Sequence, residues 1–91
     1  MEYVLNLADR AKKDLANFPK DVQKRIAKKI DYFLASPNPL HYAEQLTDIT
    51  YGTHRFRVGN YRIRFDIEYK KDVVLLQVLT IRHRDEKTYK D

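Results

Sequence analysis

The sequence predicts an α+β fold, with a two-helix hairpin packed on one face of a small antiparallel β-sheet in the order β-α-α-β-β-β. Three observations predict it. Apolar residues recur at spacings of three and four between Ala8 and Leu34, as on one face of a helix. Two alternating runs flank Gly59-Asn60, the pattern of a β-hairpin with a two-residue turn. Residues 73–81 are almost continuously apolar, as expected of a central strand covered on both faces.

Residues 2–7 alternate weakly and contain Tyr3, Val4 and Leu5, which suits a short first strand. Ala8, Ala11, Leu15 and Phe18 then follow helical spacing, with Asn6 as a candidate N-cap and Asp9 in the first turn, where a negative charge suits the helix dipole. Pro19 breaks this helix and can open the next at N1. The second helix has Val22, Ile26, Ile30, Phe33 and Leu34 on one side and Lys20, Lys24, Arg25, Lys28 and Lys29 on the other. It should stop near Ser36, because Pro37-Asn38-Pro39 cannot continue it. Residues 37–50 read as a long loop that Leu46 and Ile49 pin to the core. The hairpin occupies about 51–69, and Lys70-Lys71-Asp72 turns into the last strand. The tail from Arg82 to Asp91 is polar.

The 91 residues are expected to form a single domain over 1–91, burying roughly 60–65% of the unfolded surface. A net charge of +5 favours a polyanionic partner. The absence of cysteine removes disulfide and thiolate chemistry. No basic segment leads into an apolar run at the N-terminus, so no signal peptide is expected, and no apolar run approaches the ~20 residues that span a membrane.

In the hairpin register, Arg57 faces Arg62 and Arg55 faces Arg64, while Val58 faces Tyr61 and Phe56 faces Ile63. Alternation puts four arginines on one outward face and the apolar residues on the other. Like charges in register destabilise a sheet, so this arrangement calls for an anion, either phosphates of nucleic acid or carboxylates of a protein partner. Asp66 and Glu68 share that face and offset part of the charge. His83 and Arg84 lie just beyond the last strand. If the protein transfers a proton, His83 is the candidate donor, since arginine cannot act as a base; otherwise it is an exposed histidine without a role. His54 alternates with Phe56 and Val58 and reads as a cap on the core edge. Tyr51 and Tyr61 belong to the core or its rim. Tyr89 either stacks on a base or folds back on the sheet. The basic side of the second helix, including Lys24 and Lys28, is either plain solvation or a second contact for a large RNA. The histidines lack metal-ligand spacing, so no metal and no cofactor is expected.

The order of elements, Glu44-Gln45-Leu46, Tyr51-Gly52, the run Arg55-Phe56-Arg57-Val58-Gly59-Asn60-Tyr61-Arg62-Ile63 and the ending Arg82-His83-Arg84…Tyr89 resemble the RelE/ParE toxin superfamily over nearly the whole chain. The resemblance implies the toxin of a type II toxin–antitoxin system. In its RelE branch that means a cytoplasmic, metal-independent, ribosome-dependent endoribonuclease that cuts mRNA in the ribosomal A site through attack by the 2′-hydroxyl. The ParE branch shares the fold and inhibits DNA gyrase without nuclease activity, and a non-toxic antitoxin-binding member is a further alternative. Carried over residue by residue, the RelE cleavage set falls on Arg55, Arg57, Arg62, His83 and Tyr89, with Arg84 taking the place of His83 if the register slips by one. Arg64, Lys24 and Lys28 would add RNA contacts. The best-known RelE enzyme has lysines where Arg55 and Arg57 stand, so a general base there is not expected. The partners implied are a cognate antitoxin and ribosome-bound mRNA, with operator DNA reached only through the antitoxin.

Overall fold

The computed structural model describes residues 1–85. The chain runs β1 (Glu2–Leu7), α1 (Asp9–Ala16), α2 (Lys20–Ala35), a 3₁₀ turn (Pro39–Tyr42), β2 (Ala43–Gln45), β3 (His54–Val58), β4 (Tyr61–Tyr69) and β5 (Val73–His83). The strands form one sheet in the order β1-β5-β4-β3-β2. The α+β architecture and the helical hairpin on one face are those expected. The sheet, however, is mixed: β1 pairs parallel with β5, from Glu2 opposite Val73 to Leu7 opposite Val78. That pairing joins strands at opposite ends of the chain, and the intervening elements serve as the crossover that a parallel pair requires.

The core lies between the helices and the sheet. Ala11, Val22, Ile26, Ile30 and Phe33 from the helices meet Phe56, Val58, Ile63, Phe65, Val74, Leu76, Val78 and Ile81 from the strands. A bulge shifts the phase of β5, because Arg64 pairs Thr80 while Phe65 pairs Val78 and leaves Leu79 extra. This is why Val78 and Ile81 are both buried although they are three positions apart. β5 is central in the sheet, yet Val73, Leu75, Gln77 and Leu79 on its other side are only half-buried, so the strand is not fully covered on both faces.

Several local expectations change. Asn6 does not cap α1; it lies in β1, and its side-chain amide donates to Gln77 Oε1 at 2.8 Å. Ala8 occupies the cap position and makes no side-chain bond there. Pro19 stands one residue earlier than expected, at the N-cap of α2. Ser36 ends that helix, its hydroxyl donating to Phe33 O at 2.7 Å. The long loop contains a 3₁₀ turn and the edge strand β2. Leu46 is half-buried, but Ile49 is exposed and pins nothing. Gly52 lies under Phe65, where an added Cβ would come within 3.0 Å of backbone atoms, and its φ of +105° favours glycine. Among the described residues no helix is long and apolar enough to cross a membrane.

Candidate functional site: an arginine face on the sheet

The β3–β4 register is the one read from the sequence: Arg55 opposite Arg64, Phe56 opposite Ile63, Arg57 opposite Arg62 and Val58 opposite Tyr61. Gly59 has φ +59° and Asn60 has no positive φ, as in a turn that needs glycine at its first central position. Arg62 also lies opposite Arg82 of β5. Side chains in register share a face, so Arg57, Arg62 and Arg82 form a row across three strands beside the pair Arg55–Arg64. Arg82 was not among the expected site residues because the last strand runs two residues beyond Ile81; continuing the alternation past Ile81 would have found it.

The face is less open than the sequence suggested. Arg62 is 5% exposed and Arg64 only 1%. Arg62 Nη1 donates to the carbonyls of Gly59 at 3.0 Å and Tyr61 at 3.3 Å, bracing the turn. Arg64 Nη2 donates to Asp48 O at 2.9 Å, tying the 46–53 loop down across the sheet. Arg57 is the open member, with its side chain 54% exposed.

Three carboxylates come to this face from elements that sequence patterning did not connect to it. Glu44 of β2 lies opposite Arg55, accepting from Arg55 Nη2 at 3.0 Å and from Arg57 Nη1 at 3.4 Å. Those partners, the Arg55 hydrogen bond foremost, hold its carboxyl below the usual range. The Asp48 carboxyl is also lowered, mainly by hydrogen bonds from Thr50 and further by the charge of Arg64. Asp14 of α1 reaches the edge of β5 beyond the end of β1. Its Oδ2 accepts from Thr80 Oγ1 at 2.8 Å and from Ile81 N at 3.0 Å, and Oδ1 lies 3.9 Å from Arg82 Nη1. Asp66 and Glu68 do not serve as the expected counter-charges: Asp66 accepts the Thr53 N–H at 3.0 Å and Glu68 faces Lys70 at 3.8 Å.

His83 is the last residue of β5, opposite Tyr61. Its ring meets the Tyr61 ring edge-on at 5.1 Å, on the helix side of the sheet, so the strand places it one residue from the arginine row but on the other side. The Asp85 N–H donates to His83 Nδ1 at 3.2 Å, and the Asp85 carboxylate is 3.6 Å away. Arg84 is exposed beside Asp85, and its N–H donates to Asn60 O at 2.7 Å, fastening the end of β5 to the turn. His54 stacks on Phe65 at 5.9 Å and its Nδ1 shares a hydrogen bond with Thr53 Oγ1, as a cap on the core edge. Tyr61 packs against Phe18 at 5.0 Å, whereas Tyr51 is exposed. Lys24 and Lys28 are exposed on α2, away from the arginine face. Tyr89 lies outside the described residues. Among the described residues no group of three or more His, Asp or Glu side chains is placed to hold a metal ion.

Residues 5–88 match the family model of the ParE toxin of the type II toxin–antitoxin system parDE. The chain belongs to the RelE/ParE toxin superfamily. Solved relatives share the fold of this toxin. The complex RelBE2 from Mycobacterium tuberculosis contains a chain with TM-score 0.69 and 23% identity, covering 92% of this toxin and 100% of that chain. The RelE–RelB complex of Pyrococcus horikoshii OT3 gives TM-score 0.64 and 21% identity over 94% and 99%. The RelB–RelE complex of Methanococcus jannaschii gives 0.55 and 28% over 86% and 88%. No curated protein matches the toxin.

Proposed function

We propose that this toxin is a RelE-like, metal-independent endoribonuclease that cuts mRNA on the ribosome. The observation that carries the reading is the row Arg57–Arg62–Arg82 with Arg55 beside it on β3, a cluster of cations held by paired strands with Arg57 as its exposed member. The substrate's 2′-hydroxyl attacks the adjacent phosphorus, the bond to the 5′-oxygen breaks, and a 2′,3′-cyclic phosphate remains. Arg55, Arg57 and Arg62, joined by Arg82, hold the phosphate and stabilise the charge that builds on it. His83 gives its Nε2 proton to the leaving 5′-oxygen, with the Asp85 carboxylate 3.6 Å from its Nδ1. Because His83 and the arginines lie on opposite sides of the strand end, one phosphate meets both only at the edge of the sheet beside the β3–β4 turn, and that is where this reading puts the scissile phosphate. Arg84 adds positive charge there, Tyr89 stacks on or orients a base, and Arg64 acts through the loop it anchors.

The solved relatives are toxin–antitoxin complexes, which supports a cognate antitoxin as the partner of this chain. Operator DNA is reached through that antitoxin.

A ParE-like gyrase inhibitor is the second reading. The family match favours it, and so does the presence of arginine at 55 and 57, where no proton acceptor is available. Induced expression separates the two. The nuclease reading requires new mRNA ends on translating ribosomes and intact supercoiling; loss of supercoiling by purified gyrase with uncut mRNA would replace it with the inhibitor.

A further inference from the structure

We infer that RNA follows a continuous basic track that leaves the arginine face, rounds the β3–β4 turn past Tyr61 and His83, and continues along the outer side of α2. The inference rests on the nuclease reading and adds the path of the substrate to it.

The outer side of α2 carries Lys24, Arg25, Lys28 and Lys29, which with Asp21 and Tyr32 line a shallow groove of about 570 Å³. Lys24 and Lys28, like Arg25 and Lys29, are four residues apart, so each pair forms a row with a rise of about 6 Å. Within α2 five basic side chains stand against Asp21 and Asp31. This groove is joined to the sheet. The Arg25 guanidinium lies 6.0 Å from the centre of the Tyr61 ring, and His83 meets the same ring. On the far side of the turn stand Arg62 and Arg57, and the exposed Arg84 is fastened to the turn itself through its backbone N–H on Asn60 O. Cations therefore flank the turn on both sides, with aromatic rings between them. Tyr32, 57% exposed with Lys29 Nζ 5.0 Å from its ring, offers a second face at the far end of the groove. Cations alternating with rings, of which Tyr32 is exposed and Tyr61 and His83 are half-buried, suit a single-stranded nucleic acid, whose phosphates and bases both find partners. A carboxylate-bearing protein segment would use the cations and leave the rings idle.

The test is the dependence of affinity on RNA length, measured with the whole chain and single-stranded oligonucleotides of about 4 and about 16 nucleotides. The longer RNA should bind more tightly than the shorter one. In the double variant Lys24→Ala/Lys28→Ala that length advantage should collapse by at least about tenfold, and the slope of log affinity against log salt for the 16-mer should fall by about 1.4, two phosphate contacts at about 0.7 each. Arg57→Ala should lower affinity for both lengths, because both occupy the arginine face. An unchanged slope in the double variant, or an equal loss for both lengths, would overturn the track and leave α2 as a solvated helix. Arg57→Ala with no effect on either length would instead overturn the nuclease reading, and the track with it.

Discussion

At Arg64 a guanidinium is withdrawn from water and given to the carbonyl of Asp48. A buried charge keeps its place only when it is hydrogen-bonded. Arg64→Ala should therefore destabilise the protein by about 1–3 kcal/mol in urea unfolding, and the 46–53 loop should become sensitive to protease. Arg62→Ala should abolish cleavage and also lower stability, because Arg62 braces the turn through Gly59 O and Tyr61 O. The sequence, which shows only an outward basic face, would suggest that removing one charge is neutral or stabilising. Arg57→Ala should come closest to that, changing stability by less than about 0.5 kcal/mol as exposed substitutions usually do. Glu44 gives a pH-dependent prediction. Its carboxyl is held down first by the Arg55 hydrogen bond. A carboxylate lowered in the folded state adds stability above its unfolded pKa and loses it as pH falls through the folded one. Glu44→Gln should therefore flatten part of the decline in stability on the acid side of the carboxylate range. At neutral pH it should tighten binding of a short RNA, since a carboxylate competing with phosphate is gone. Weaker RNA binding by Glu44→Gln would show that Glu44 orients Arg55 and Arg57 instead of masking them.

Between elements, Asp14 ties the helices to the sheet through polar contacts. It sits where β1 has ended and the edge of β5 is open, and it satisfies the Thr80 hydroxyl and the Ile81 N–H together. Asp14→Ala leaves both without that acceptor and should cost about 1–3 kcal/mol. Asp14→Asn keeps an acceptor oxygen and should cost less while removing the charge near Arg82. Equal losses in the two variants would mean that the charge, not the hydrogen bonds, holds this corner. Local elements were legible for physical reasons. Gly59-Asn60 fixes the hairpin turn, alternation fixes its register, and the 3.6-residue period marks both helices. What joins elements was not legible. The parallel β1–β5 pair forms between residues about 70 apart in sequence, and no local pattern encodes it. β2 is three residues long, too short for alternation to show, so Glu44 was hidden in a loop. The burial of Arg64 depends on where that loop lands, which follows from Asp48 O and Gly52 instead of from the arginine's own neighbours. The alternation of β5 continues two residues past its apolar run, and that extension carries Arg82 onto the arginine face.

Across the whole molecule the sheet separates two basic surfaces in a body only 22 Å along its shortest axis. One is held by paired strands and partly offset by Glu44, Asp14 and Asp48; the other is the solvent side of α2. On the nuclease reading the first surface has to be kept from RNA, and the antitoxin is the proposed means. An acidic, amphipathic segment can lie on the arginine face only by taking the guanidinium contacts that RNA phosphates would take, so the two ligands should exclude each other there. Such a segment folds as it binds, and charge pairing speeds its encounter. The expected outcome is that stoichiometric antitoxin abolishes binding of a 4-nucleotide RNA, and that its association rate falls steeply as salt rises, whereas its dissociation rate changes little. Arg57→Ala should slow association, because Arg57 is the most exposed charge of the row. A ternary complex in which antitoxin and short RNA are bound together, measured by fluorescence anisotropy of the RNA, would show that inhibition acts from elsewhere on the molecule and would remove the arginine face from the antitoxin interface.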